Sequence, residues 1–83
     1  RGEVTLVDVR GQAEWAAGHV AGAVHMPLGD LAARAGELPA GRPVVVHCQG
    51  GARSAIAASV LQARGLADVH NLAGGYAAWQ RAG

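Results

Sequence analysis

The stretch Val44-Val45-Val46-His47-Cys48-Gln49-Gly50-Gly51-Ala52-Arg53-Ser54 decides the fold. Three β-branched residues in a row, with no polar residue before His47, suit a central parallel strand covered on both faces. Gly50 and Gly51 let the backbone curl after it. From Arg53 to Arg64 the pattern turns helical, with Ile56, Ala57, Val60 and Leu61 on one face and Gly65 as the stop. A strand thus feeds through a glycine loop into a helix.

The same alternation extends in both directions. Residues 4–9 (VTLVDV) read as a buried strand and residues 11–18 as a two-turn helix closed by Gly18. Val24 and its neighbours suit a strand of two or three residues before Met26-Pro27. Leu28, Leu31, Ala32, Ala35 and Leu38 recur at amphipathic spacing, which predicts a helix over 28–38, weakened by Gly36. Residues 68–72 suit a last short strand. Residues 74–80 suit a closing helix that carries Tyr76 and Trp79. The class is therefore α/β, a three-layer arrangement with a mainly parallel central sheet and helices on both faces.

Composition limits what such a chain does. Its 83 residues make one domain, with no linker or repeat, and 51% hydrophobic against 16% charged residues is a globular balance. The net charge is +1, and all seven cations are arginines scattered from Arg1 to Arg81, so no clustered footprint for nucleic acid exists. No apolar run is long enough for a transmembrane helix, and no charged segment leads into an apolar one as in a signal peptide. Neither nucleic acid nor membrane is expected as a partner, and a cytoplasmic location is expected. The single cysteine, Cys48, excludes an internal disulfide framework and a multi-cysteine zinc site. The first residue is Arg1, so the chain is expected to be a processed product, a fragment or an excised domain.

Cys48 stands where a parallel sheet places its ligands, beyond the carboxyl end of a strand. The glycines allow several amide N–H groups to face one point, and the start of the next helix adds its positive end there. Such surroundings favour an anion and lower a thiol pKa, which makes a thiolate nucleophile available at neutral pH. A lone cysteine is more often a buried structural residue. A structural cysteine, however, needs neither Gly-Gly behind it nor Arg-Ser at a helix start. Cysteine-dependent phosphatases use Cys-x5-Arg around a tetrahedral phosphate, whereas Cys48 and Arg53 are separated by four residues, a narrower cradle suited to a single sulfur atom.

The remaining candidates read as structural. Asp8 and Arg10, at a strand end, suit an ion pair that holds the fold. His19, His25, His47 and His70 lie on separate elements, and no metal site is expected. His47 should point to the opposite face from Cys48 as a packed histidine. Trp15 and Trp79 are expected in the core. Gly74-Gly75 suit a close backbone approach. Arg34, Arg42, Arg64 and Arg81 suit solvated charges.

Taken in order, Asp8-Val9-Arg10, Gly18-His19-Val20-Ala21-Gly22-Ala23, Met26-Pro27-Leu28, the Cys48–Ser54 loop and Asn71-Leu72-x-Gly74-Gly75-Tyr76-x-x-Trp79 resemble a single-domain rhodanese. The resemblance runs from about Val4 to Trp79. It implies a rhodanese-like domain over residues 1–83 that lacks the strand and helix with which such domains usually begin. It implies that Cys48 carries sulfane sulfur as a persulfide, that Gln49, Gly50, Gly51, Ala52, Arg53 and Ser54 form the substrate-binding loop, and that Arg53 is the loop cation. Two positions depart from the family pattern. Ala21 replaces a common proline. Gln49 replaces a frequent arginine, which makes the pocket less cationic and weakens the case for efficient use of dianionic thiosulfate.

The expected function is that of a sulfurtransferase, moving sulfane sulfur from thiosulfate or a persulfide to a thiol or cyanide. The cysteine persulfide is covalent, and no metal or organic cofactor is expected. The loop also resembles rhodanese domains fused behind a metallo-β-lactamase-like domain, which makes such a domain a partner. The alternative function is a sulfur-carrier or regulatory module of a multidomain protein such as a persulfide dioxygenase fusion. A cysteine phosphatase or arsenate reductase is the weaker rival.

Overall fold

The computed structural model describes residues 4–39 and 41–72. Four strands form one parallel sheet: β1 (Thr5–Asp8), β2 (Val24–His25), β3 (Val44–His47) and β4 (Val69–Asn71), in the order β2-β1-β3-β4. The helices between them are α1 (Gln12–Ala17), α2 (Leu31–Arg34) and α3 (Ala52–Ala63). This is the α/β class and parallel sheet that the alternation of patterns predicts. The closing helix expected over 74–80, with Gly74, Gly75, Tyr76 and Trp79, lies outside the described residues.

Register places the chemistry. Asp8 pairs with His25 on one side and with His47 on the other, and Val46 pairs with Asn71. The carboxyl ends of all four strands therefore share one edge. The turns after them carry Arg10, Met26, Cys48 and Leu72 to that edge.

The core lies between the sheet and the α2–α3 side. Val7, Val44, Val46 and Val69 pack with Leu31, Ala35, Ala57, Leu61 and Cys48. Strand alternation sends Asp8 and His47 to the other face, along with the half-buried Leu6 and Val45.

Two patterns resolve differently from the expectation. The amphipathic stretch 28–38 is not one helix but a 3-10 turn (Leu28–Asp30), the single α-turn of α2 and a second 3-10 turn (Ala35–Glu37). Asp30 and Arg34 have φ near −100° with ψ near 0°, which tightens the winding at both junctions. Pro27 and the glycines 29 and 36 flank or sit within these turns, so little propensity favours continuous α-helix. Leu31 and Ala35 still reach the core. Arg34 fastens the segment through Glu37 and the carbonyl of His25.

The second difference concerns α3. Its buried stripe is Ser54, Ala57 and Leu61, and Ile56 is 57% exposed rather than inward. At 100° per residue Ile56 lies nearly opposite the centre of that stripe. Leu61→Ala is accordingly expected to destabilise the protein by about 2–5 kcal/mol. Ile56→Ala should stay within about 0.5 kcal/mol. Denaturant melts of the two variants check this, and equal losses would contradict the assigned stripe.

Candidate active site at the Cys48 loop

β3 ends at His47, and Cys48 follows with its side chain turned back into the core, 1% exposed. Gly51, at φ +111°, makes the turn into α3 in a left-handed conformation that a side chain would strain. This turn aims donors at the sulfur. The Gly51 N–H lies 3.0 Å from Cys48 Sγ and the Ser54 N–H 3.4 Å, while the Cys48 thiol donates to Ser54 Oγ at 3.6 Å. The Ser54 hydroxyl also reaches the Gly51 carbonyl at 3.1 Å and donates to Asn71 Oδ1 on β4.

Burial alone would push the Cys48 thiol up. The hydroxyl and amide of Ser54, with the amides of Gly51 and Gly50, outweigh it and hold the thiol below its ordinary value. The iodoacetamide alkylation rate is therefore expected to rise with pH through a midpoint below that of a free thiol, because the thiolate is the reactive form. Ser54→Ala removes the side-chain contact that helps to lower the Cys48 thiol and should move that midpoint upward. A native midpoint at or above the free value would leave Cys48 an ordinary buried thiol.

The six loop residues expected to bind substrate are placed differently. Gly51 and Ser54 touch the sulfur, and the Gly50 amide adds to its stabilisation. Gln49, Gly50 and Ala52 are exposed at the rim. Gln49 Oε1 accepts from Arg10 Nη1 at 3.3 Å. Arg53 points to α1, where its guanidinium forks onto Glu14 at 2.6 and 2.8 Å.

Glu14 is the residue that sequence reading missed. It sits 39 positions from Arg53 and ties α1 to the loop. It also accepts the Gly11 N–H at 3.0 Å. The Arg53 hydrogen bonds, then that of Gly11, lower its carboxyl to about 2. A glutamate three residues after a helix start is the one local signal that could have marked it.

Beneath the loop, Asp8 and Arg10 form the expected ion pair at 2.9 Å, both buried. Burial pushes the Asp8 carboxyl up, but the Arg10 side-chain and backbone hydrogen bonds outweigh it and the net shift is downward. Arg10 also donates to the Gly18 carbonyl at 2.6 Å, which joins three loops at the sheet edge. Removing one partner of such a pair strands the other charge in the interior. His47 is fully buried with Nε2 3.8 Å from Asp8, and burial lowers its pKa, so it is a packed neutral ring rather than a base beside the sulfur.

Trp15 departs from its expected place in the core. It is half-buried and stacks with two histidine rings, His19 at 3.5 Å and His25 at 4.6 Å between centroids. His19 Nδ1 lies 2.8 Å from the Trp15 carbonyl, and His25 Nε2 lies 2.9 Å from that of Arg10. Those carbonyls only accept, so each of these nitrogens carries a proton. Among the described residues no three His, Cys, Asp or Glu side chains converge as metal ligands, and no helix is long and apolar enough to cross a membrane.

Comparison with known proteins adds relatives to this geometry. The family model of the rhodanese-like domain matches residues 1–82. A sulfurtransferase of Allochromatium vinosum is 42% identical over 81 residues, covering 98% of this chain and 76% of that protein. The thiosulfate sulfurtransferase GlpE of Pseudomonas fluorescens is 42% identical over 77 residues, covering 90% of this chain and 69% of that protein. The chain spans 59% of a further relative from Bacillus subtilis, the uncharacterised protein YqhL, at 39% identity. Among solved structures, a rhodanese-related protein from Thermoplasma volcanium superposes with a TM-score of 0.90 at 29% identity, covering 99% of this chain and 81% of that one.

Proposed function

The chain belongs to the rhodanese-like domain family, and from that membership we propose that it is a sulfurtransferase in which Cys48 carries the transferred sulfur. The observation that carries the reading is the buried Sγ of Cys48 beneath the Gly51 and Ser54 N–H groups. The sulfurtransferase names of the relatives from Allochromatium vinosum and Pseudomonas fluorescens support the same reaction class.

The Cys48 thiolate attacks the outer sulfur of a donor. With thiosulfate, the S–S bond breaks, sulfite leaves with the bonding pair and Cys48 keeps one sulfur as a persulfide anion. With the persulfide of a thiol, the same bond breaks and the thiolate leaves. Cyanide or an acceptor thiolate then attacks the outer sulfur, forming thiocyanate or a new persulfide and returning the Cys48 thiolate. The scheme is ping-pong with a covalent intermediate. The Gly51 and Ser54 N–H groups face the charge of the Cys48 thiolate that begins each half-cycle. Neither half-reaction calls on a metal or an organic cofactor.

Intact-mass measurement tests the reading. Reduced, folded protein incubated with a sulfane-sulfur donor is expected to gain one sulfur, about 32 Da, and to lose it to a thiol. An unchanged mass with thiosulfate and with a thiol persulfide would overturn the proposal.

A further inference from the structure

Two arginines approach the Cys48 loop, and each already holds a carboxylate. Arg10 lies against Asp8 through Nε and Nη2 at 2.9–3.1 Å. Arg53 forks onto Glu14 at 2.6 and 2.8 Å. Glu14 is also within electrostatic reach of Arg10, and Arg53 within reach of Cys48. Gln49, at the rim, adds no charge and is engaged by Arg10. The sulfur itself is held by neutral dipoles, the N–H groups of Gly51 and Ser54.

Dipoles and paired charges differ in reach. A hydrogen-bond donor stabilises the charge on the atom it touches, and its field fades quickly beyond that atom. An uncompensated cation attracts a second charge several ångströms away, since a Coulomb interaction falls only as the inverse of distance. The geometry points to Glu14 as a specificity-determining residue: by cancelling the charge of Arg53, it tunes the loop to sulfur donors whose leaving group bears a single negative charge. Persulfides of thiols are such donors, because a thiolate leaves. Thiosulfate is not, because dianionic sulfite must form beside the persulfide anion on Cys48.

This inference rests on the proposed transfer through Cys48 and adds the class of donor. Glu14 acts through Arg53 and is a positioning residue, so its test must separate charge from mere support of the loop. The test compares kcat/KM for thiosulfate with that for the persulfide of N-acetylcysteine methyl ester, which has no other charge, with cyanide as common acceptor. Native protein is expected to favour the persulfide by about tenfold. Glu14→Gln frees the charge of Arg53 and should raise kcat/KM for thiosulfate about fivefold, mostly through KM, with less than a twofold change for the persulfide. Glu14→Asp keeps the charge and should restore the native ratio. Higher salt should shrink the gain in the Gln variant.

Gln49→Arg places a new cation at the exposed rim without touching the Glu14–Arg53 pair, and should move the ratio in the same direction even if Glu14→Gln does not fold. A native preference for thiosulfate would overturn the inference. So would an equal loss for both donors in Glu14→Gln, or a ratio unmoved in Gln49→Arg. In all three cases Cys48 still transfers sulfur and the proposed function stands. Loading of Cys48 by neither donor would instead overturn the function, and the donor class with it.

Discussion

Cys48→Ser is expected to lower thiocyanate formation from a sulfane-sulfur donor and cyanide by about a thousandfold or more, to the uncatalysed background. The oxygen replaces the sulfur nearly in place, and the Gly51 and Ser54 N–H groups still have an acceptor in front of them. Stability should therefore change little, and a thermal melt would show it. Reactivity does not survive the exchange. The cradle moves a thiol downward against the effect of its own burial. The same donors cannot bring a hydroxyl, whose ordinary pKa lies far higher, into range at neutral pH. Serine also has no sulfur on which a persulfide can form. A folded variant within tenfold of native activity would show that Cys48 is not the carrier. Another nucleophile would then have to be sought along the strand edge that holds Asp8, His25, His47 and Asn71.

The fold was legible where one pattern governed a whole element. Val44–His47 has no reading other than a buried strand, and β3 occupies those four residues. Around the sulfur, Gly51 was legible for the same reason: a left-handed turn between a strand and a helix selects glycine. Asp8 and Arg10 are two apart at a strand end, so their pairing was also within reach of local reasoning.

What escaped depends on contacts that sequence spacing does not encode. Glu14 and Arg53 come together only because α1 and the start of α3 are brought to the same sheet edge, and nothing near either residue marks the other. The resemblance assigned Arg53 to the loop as its cation, and the chain's own geometry turns that cation toward Glu14. Ile56 shows a different limit. Apolar residues at 56, 57, 60 and 61 allow more than one stripe, and the small Ala57, not the larger Ile56, faces the close helix–sheet contact. In residues 28–38 the hydrophobic spacing was right and the backbone was not, because 3-10 and α turns place every third or fourth residue on nearly the same side.

Inserting one glycine between Gly51 and Ala52 is expected to reduce sulfur transfer about a hundredfold while leaving the fold intact. The insertion converts Cys-x4-Arg into Cys-x5-Arg. Gly51 lies just before it, its N–H 3.0 Å from the sulfur in the native loop. Ser54 lies after it. One residue of helix is a rotation of about 100° and a rise of about 1.5 Å. Carried through α3, that rotation would unbury Ser54, Ala57 and Leu61 together, and their burial opposes it. The extra residue is therefore taken up before Ala52, where it carries the Gly50 and Gly51 N–H groups off the sulfur. Donors misplaced by about 1 Å cost on the order of a hundredfold in rate. The thiol midpoint should rise with them, since the Gly51 and Gly50 amides help to hold the Cys48 thiol down. One extra residue in the loop changes closure entropy only slightly, so a thermal melt near the native one is expected. Thiocyanate formation, the alkylation midpoint and hydrolysis of an aryl phosphate then separate the outcomes. Undiminished transfer by a folded insertion variant would show that loop width does not select the chemistry. Aryl phosphatase activity in the native chain that disappears in Cys48→Ser would assign the loop to phosphoryl transfer. A raised midpoint with transfer lost in proportion would show that the placement of the loop N–H groups is what keeps the sulfur anionic.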